Sequence, residues 1–208
     1  AYAVNLFTGE TSIVLKNATS YLPAVWPVRG NTSGVAPLWK TGQTTSYAEY
    51  DDGWYQAGIA WPTPRFEVQG ECVTDRLTGL MWSQNADRLN DLVGWQPALE
   101  HAGDLSLCDY DDWRLPNRKE LWSLVNHQVA DPAAWLESQG FSNVHYQPQG
   151  STAFFPYWSS TSYVYNPVAA FGVRMDGGHI FAFMKDPSYG GYGYVWMVRS
   201  GSVGPVIL

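Results

Sequence analysis

Four histidines, His101, His127, His145 and His179, and two cysteines, Cys72 and Cys108, are the first residues to test for chemistry. No two of the histidines have the HExxH spacing that sets imidazoles on one helix face around zinc. There is no GxSxG elbow and no phosphate-binding glycine loop. His101 lies near a first expected helix and His127 just past the buried stripe of a second, where solvated or capping roles are usual. The densest carboxylate group is Asp109, Asp111 and Asp112. Oxygens this close could hold Ca²⁺, but the run lacks an EF-hand's turn glycine and terminal glutamate. Asp112 is therefore read as ordering the turn into Trp113 and Arg114, with the others facing water. No cofactor is expected, Ca²⁺ is not favoured, and the chain is not read as an enzyme. Glu71 and Asp75 read as solubility charges at strand edges. Arg114 and Arg118 are expected to stack on Trp113 or Trp122, or to pair with Asp112.

The cysteines form neither CxxC nor CxxCH, which disfavours a redox motif or haem attachment. In an exported protein they would form a disulfide closing a loop of about 37 residues, worth about 3–4 kcal/mol in the chain-entropy model. Two buried free thiols are the alternative. The binding candidates lie in loops near the end of the chain. They are Tyr163, Tyr165 and Asn166; Asp176 and His179 flanking a turn; and Lys185, Tyr189, Tyr192 and Tyr194 around a glycine-rich run. Tyr rings beside short polar groups recognise sugars and proteins at low entropic cost. Loop aromatics that merely shield a sheet are the alternative reading.

These residues need elements to position them. Twenty Gly and thirteen Pro favour many turns and few long helices. Strands are expected at 4–6, 12–16, 24–29, 66–73 and 80–82. Trp95, Ala98, Leu99, Ala102 and Leu105 fall at helical spacing. Asn117 and Glu120 read as a capping box for a second helix with Leu121, Leu124 and Val125 buried. A short third helix starts at Asp131-Pro132. Strands follow at 157–163, 169–175, 179–185 and 194–199, so the plan is α+β: two main helices and then an antiparallel β meander. Trp82, Trp113, Trp158 and Trp196 are expected in the core.

The two ends of the chain resemble each other. Tyr2 to Leu6 aligns with Phe171 to Met175, Gly9 with Gly178, and Lys16 with Lys185. One residue of extra offset then aligns Trp26 with Trp196 and Arg29 with Arg199. So long a period means tandem domains rather than a solenoid. The division expected is 1–34 as terminal strands of a preceding copy, 35–64 as a linker, and 65–208 as a complete domain. Three strands do not stand well alone, so residues 1–30 need a surface on this chain or on a second copy.

Net charge is −7 with only twelve Lys and Arg and no basic block, so no nucleic-acid partner is expected. No run of eighteen apolar residues occurs, so no membrane insertion is expected.

VTDRLTGLMW at 73–82 resembles the opening motif of a bacterial domain family typified by the C-terminal region of the Legionella collagen-like adhesin. DWRLPNRKEL at 112–121, YWSSTSY at 157–163 and VWMVRSG at 195–201 are similar to that family's later motifs, in order. LWKTGQTTSYAEYDDG at 38–53 resembles the segment that often precedes such domains. The resemblance implies a C-type-lectin-like fold and a secreted or surface module, often in tandem. It also implies kinship with formylglycine-generating enzymes. Those rely on a reactive cysteine pair in the late β region, whereas both cysteines here precede the meander. The adhesin that typifies the family binds glycosaminoglycans, but polyanions want a basic surface and this chain is acidic. The expectation is a noncatalytic module, extracellular or at the cell surface, binding glycan or a cell-surface protein. The alternative is a filament subunit in which residues 1–30 complete a neighbouring copy.

Overall fold

The computed structural model describes residues 2–6, 8, 10–13, 24–25, 38–146 and 155–200. The expected strand at 24–29 lies largely outside these residues, and the one at 12–16 in part. The first elements are a short hairpin, β1 (Tyr2–Val4) and β2 (Thr11–Ile13). Residues 38–64 follow, with a one-turn helix α1 (Asp52–Tyr55) capped by Asp51. This stretch is tied to what comes later. Gln128 Oε1 accepts from the amides of Thr44 and Thr45 at 2.6 and 2.9 Å. His127 N–H donates to the Thr41 carbonyl at 3.2 Å.

The segment expected as one strand from 66 to 73 is two. Gly70 takes φ +62°, which a side chain resists, and folds β3 (Phe66–Gln69) back onto β4 (Cys72–Asp75). A turn ending at Gly79 leads to β5 (Leu80–Ser83). Helix α2 (Trp95–Gly103) buries Ala98 and Ala102, and Leu105 lies past its end. Helix α3 (Arg118–Ser123) opens with the capping box read from the sequence: Asn117 Oδ1 accepts from Glu120 N–H, and Glu120 accepts from Asn117 N–H. Leu124 and Val125 are buried just beyond it. Helix α4 (Pro132–Ser138) is capped by Asp131 and has Pro at its start, where a missing N–H costs nothing.

The meander is β6 (Tyr157–Ser162), β7 (Ala169–Val173) and β8 (Ile180–Met184), all antiparallel. The expected fourth strand does not extend it. Residues 194–197 cross between sheets: Tyr194 N–H donates to the Pro156 carbonyl, and Trp158 N–H to the Tyr194 carbonyl. Then β9 (Val198–Ser200) pairs with β5, giving the order β3-β4-β5-β9. Val195, Trp196, Met197 and Val198 are all buried, so no in-out alternation marks their sheet.

The four tryptophans expected inside are buried. Trp196 meets Trp82 at 5.6 Å and Phe141 at 5.1 Å, both edge-on. A second cluster gathers Cys72, Met81, Ala98, Leu115 and Trp158. Cys72 and Cys108 form a disulfide across a sequence separation of 36.

The charges depart from expectation. Asp75 is fully buried and pairs with Arg65, because the hairpin register sets Phe66 opposite Asp75. Arg114 pairs with Glu120 at 2.7 Å. Arg118 stands over Phe171, 4.5 Å from its centroid. Asp112 pairs with Arg199 at 2.5 Å, and that bond holds its carboxyl below the usual range.

Candidate functional site

One end of the meander gathers six of the residues singled out by the sequence. β6 ends, β7 begins and β8 ends there. In the β6–β7 loop, Asn166 N–H donates to the Tyr163 carbonyl and Ala169 N–H to that of Asn166. Tyr163 packs edge-on against Phe171 at 5.4 Å and Tyr165 at 5.8 Å. Lys185 Nζ donates to Ser162 Oγ and to the Pro167 carbonyl, both at 2.8 Å, and stands over Trp95 at 4.0 Å. It straps the end of β8 to that loop.

The chain then turns tightly. Asp186 accepts from Ser188 N–H at 2.8 Å, which lowers its carboxyl's pKa and starts a 3₁₀ turn (Pro187–Tyr189). Gly191 N–H returns to the Asp186 carbonyl and Gly193 N–H to that of Val93. A side chain at Gly191 would run into the Met184 carbonyl, so the run needs glycine there. The strap presents Tyr189, 73% exposed, and Tyr192, 39% exposed; Tyr165, 57% exposed, stands on the neighbouring loop.

Asp176, His179 and Tyr194 lie elsewhere. Asp176 and His179 sit in the β7–β8 turn, at the opposite end of the meander. Asp176 is nearly buried and pairs with Arg174; its other oxygen is 3.5 Å from His179 Nδ1. Tyr194 lies flat on His145, with centroids 3.7 Å apart. His145 Nε2 meets Asp87 at 2.7 Å, and its backbone N–H donates to the Tyr157 hydroxyl at 2.8 Å. Burial pushes the Tyr157 phenol up, and burial with the Asp87 charge raises Tyr194. This cluster ties residues 143–145 to the loop after β5. Asp87 and His145 are far apart in sequence with no motif between them, so nothing local signals the pair.

A cavity of about 640 Å³ opens between residues 38–41, Trp61, β5 and α3. Trp39, Trp61, Trp122, Leu80 and Val125 form apolar walls, with Glu120 and His127 among its polar groups. Sequence reasoning missed it because Trp39 and Trp61 lie in the stretch read as a linker. Burial holds the His127 imidazole below its ordinary value, against the opposing pull of Asp52. The unfolded chain therefore takes up a proton first as pH falls through about 6.5. Stability is full above that pH, declines below it, and levels off once the folded imidazole is charged. In urea titrations from pH 7.5 to 5, His127→Phe is expected to flatten this decline; an unchanged profile refutes the assignment.

Among the described residues, no three His, Cys, Asp or Glu side chains are grouped to hold a metal ion. Asp109 occupies a left-handed turn, φ +63°, and Asp112 is engaged by Arg199.

These elements define a disulfide-linked α+β domain with antiparallel sheets and an aromatic loop end. Residues 71–199 match the family described as the Lcl C-terminal domain, and the chain belongs to that family. No curated protein and no solved structure matches the chain. Membership makes this an adhesin-like domain and implies a surface or extracellular protein. No described helix is long and apolar enough to cross a membrane.

Proposed function

We propose that this chain is a noncatalytic extracellular adhesion module of C-type-lectin-like fold. It binds a glycan or a cell-surface protein through the end of the meander that carries Tyr165, Tyr189 and Tyr192. The observation behind this reading is that exposed rings stand on backbone already held by the Lys185 strap and the Asp186 turn. Such preorganisation lowers the entropy lost on binding. Rings with few rotatable bonds suit the stacking faces of sugars. The net charge of −7 favours neutral glycans over sulfated polyanions. The reading is noncatalytic because His145 is stacked on Tyr194 and His179 on Phe181, where each seats a loop.

A glycan array, paired with binding assays on cell-surface proteins, tests the proposal. Tyr189→Ala with Tyr192→Ala is expected to weaken binding by about five- to 150-fold, each ring contributing about 0.5–1.5 kcal/mol. A blank array with no protein ligand for the unaltered chain counts against the proposal.

A further inference from the structure

The β1–β2 hairpin copies the β7–β8 hairpin pair for pair. In the first, Tyr2 faces Ile13, Ala3 faces Ser12 and Val4 faces Thr11. In the second, Phe171 faces Ala182, Gly172 faces Phe181 and Val173 faces Ile180. Every residue is displaced by the one offset that aligns the two sequences. The turns close alike: Asn5 N–H donates to the Glu10 carbonyl and Arg174 N–H to the His179 carbonyl, each at 3.0 Å. Register is sensitive evidence, because a slip of one residue reverses every side chain.

The copy also touches its original. Among the described residues β8 is the edge strand of its sheet, and the Ile180 amide points away from β7. It donates to Thr11 Oγ1 at 2.9 Å, while the Thr11 hydroxyl makes a long 3.5 Å contact with the Gly178 carbonyl. Thr11 is buried there. A buried edge amide needs an acceptor, and this hydroxyl supplies it. Gly178 is fixed from below: Trp122 Nε1 donates to its carbonyl at 2.9 Å. It takes φ +75°, and a Cβ there would come within 3.0 Å of Trp122 and Val125. The seat is thus built of backbone on α3.

We infer that the β7–β8 turn is a docking seat for the terminal hairpin of a preceding repeat, and that Thr11 determines which hairpin fits. Equivalent positions meet in this joint, since Thr11 is the counterpart of Ile180. The joint is also directional. Ile180 has no hydroxyl, so this repeat's hairpin cannot make the same bond to a further seat. The partner is a hairpin of this family bearing Ser or Thr at the first residue of its second strand. Here the chain supplies it to itself.

Amide exchange at Ile180, read by NMR on the full chain, tests this. Thr11→Val keeps the shape and removes the acceptor. It is expected to lower Ile180 protection at least tenfold while amides within β7 hold, and Thr11→Ser is expected to retain it. Unchanged protection in Thr11→Val overturns the seat. Isotope-labelled Thr11→Val mixed with unlabelled wild-type chain is expected to stay unprotected. Recovery in that mixture would show that the hairpin comes from a neighbouring chain, and would overturn the joint within one chain.

Discussion

Asp75→Asn is expected to lower the domain's stability by about 3–5 kcal/mol, the range for breaking a buried ion pair from one side. The carboxylate is fully buried and accepts four hydrogen bonds. Arg65 Nε and Nη2 reach it at 3.0 and 2.8 Å, Leu77 N–H at 3.0 Å and Thr78 Oγ1 at 2.9 Å. Arg65 also donates to the Ser123 carbonyl at 2.7 Å. Its guanidinium lies 4.4 Å from the Trp61 centroid and 4.6 Å from that of Phe66. Asparagine would turn an NH₂ toward donors and leave the guanidinium buried without its counter-charge. Removing both charges, with Arg65→Met and Asp75→Leu, is expected to cost less than the single change. Urea denaturation decides the matter: a loss under about 1 kcal/mol in Asp75→Asn contradicts this account, since a pair worth so little behaves as an exposed one.

Cys72→Ala with Cys108→Ala is expected to cost about 2–5 kcal/mol, as removal of a native disulfide usually does. The bridge spans β5 and α2 in sequence, joining β4 to the turn after α2 across a separation of 36. It limits the unfolded chain, while fully buried Cys72 also fills the second core cluster. The unaltered protein should therefore lose a similar amount on reduction, less whatever the packed thiols retain. A urea midpoint that is the same with and without reductant would show that the bridge does not act on stability.

The local signals were readable. Asn117 and Glu120 announce α3 and Pro132 announces α4. Four ordered motifs pointed to the family that matches. What failed to show was whatever depends on partners distant in sequence. Asp75 looked like a surface charge until the hairpin at Gly70 brought Arg65 beside it. β9 looked like a fourth meander strand because its approach is buried on both faces. At the loop end, composition indicated the tyrosines, yet the strap from Lys185 to Pro167 could not be foreseen. Tyr194 read as a loop residue, but four residues placed elsewhere by the fold (Asp87, Asn143, His145 and Tyr157) surround or support its stack. The cavity beside Trp39 and Trp61 needed the packing of residues 38–64 to exist at all.

The four-stranded sheet has a mechanical consequence. Its register places Phe66, where the chain enters, opposite Asp75, and Ser200, where it leaves, opposite Leu80. Entry and exit thus lie at the same end of the sheet, on opposite edges. Tension applied through the two ends of the domain would load the ladders crosswise, so they would unzip bond by bond instead of shearing together. β9 would peel from β5 and β3 from β4, until the pull reached Cys72. From there the disulfide would carry the load directly to Cys108, leaving β5 and α2 outside the stretched path.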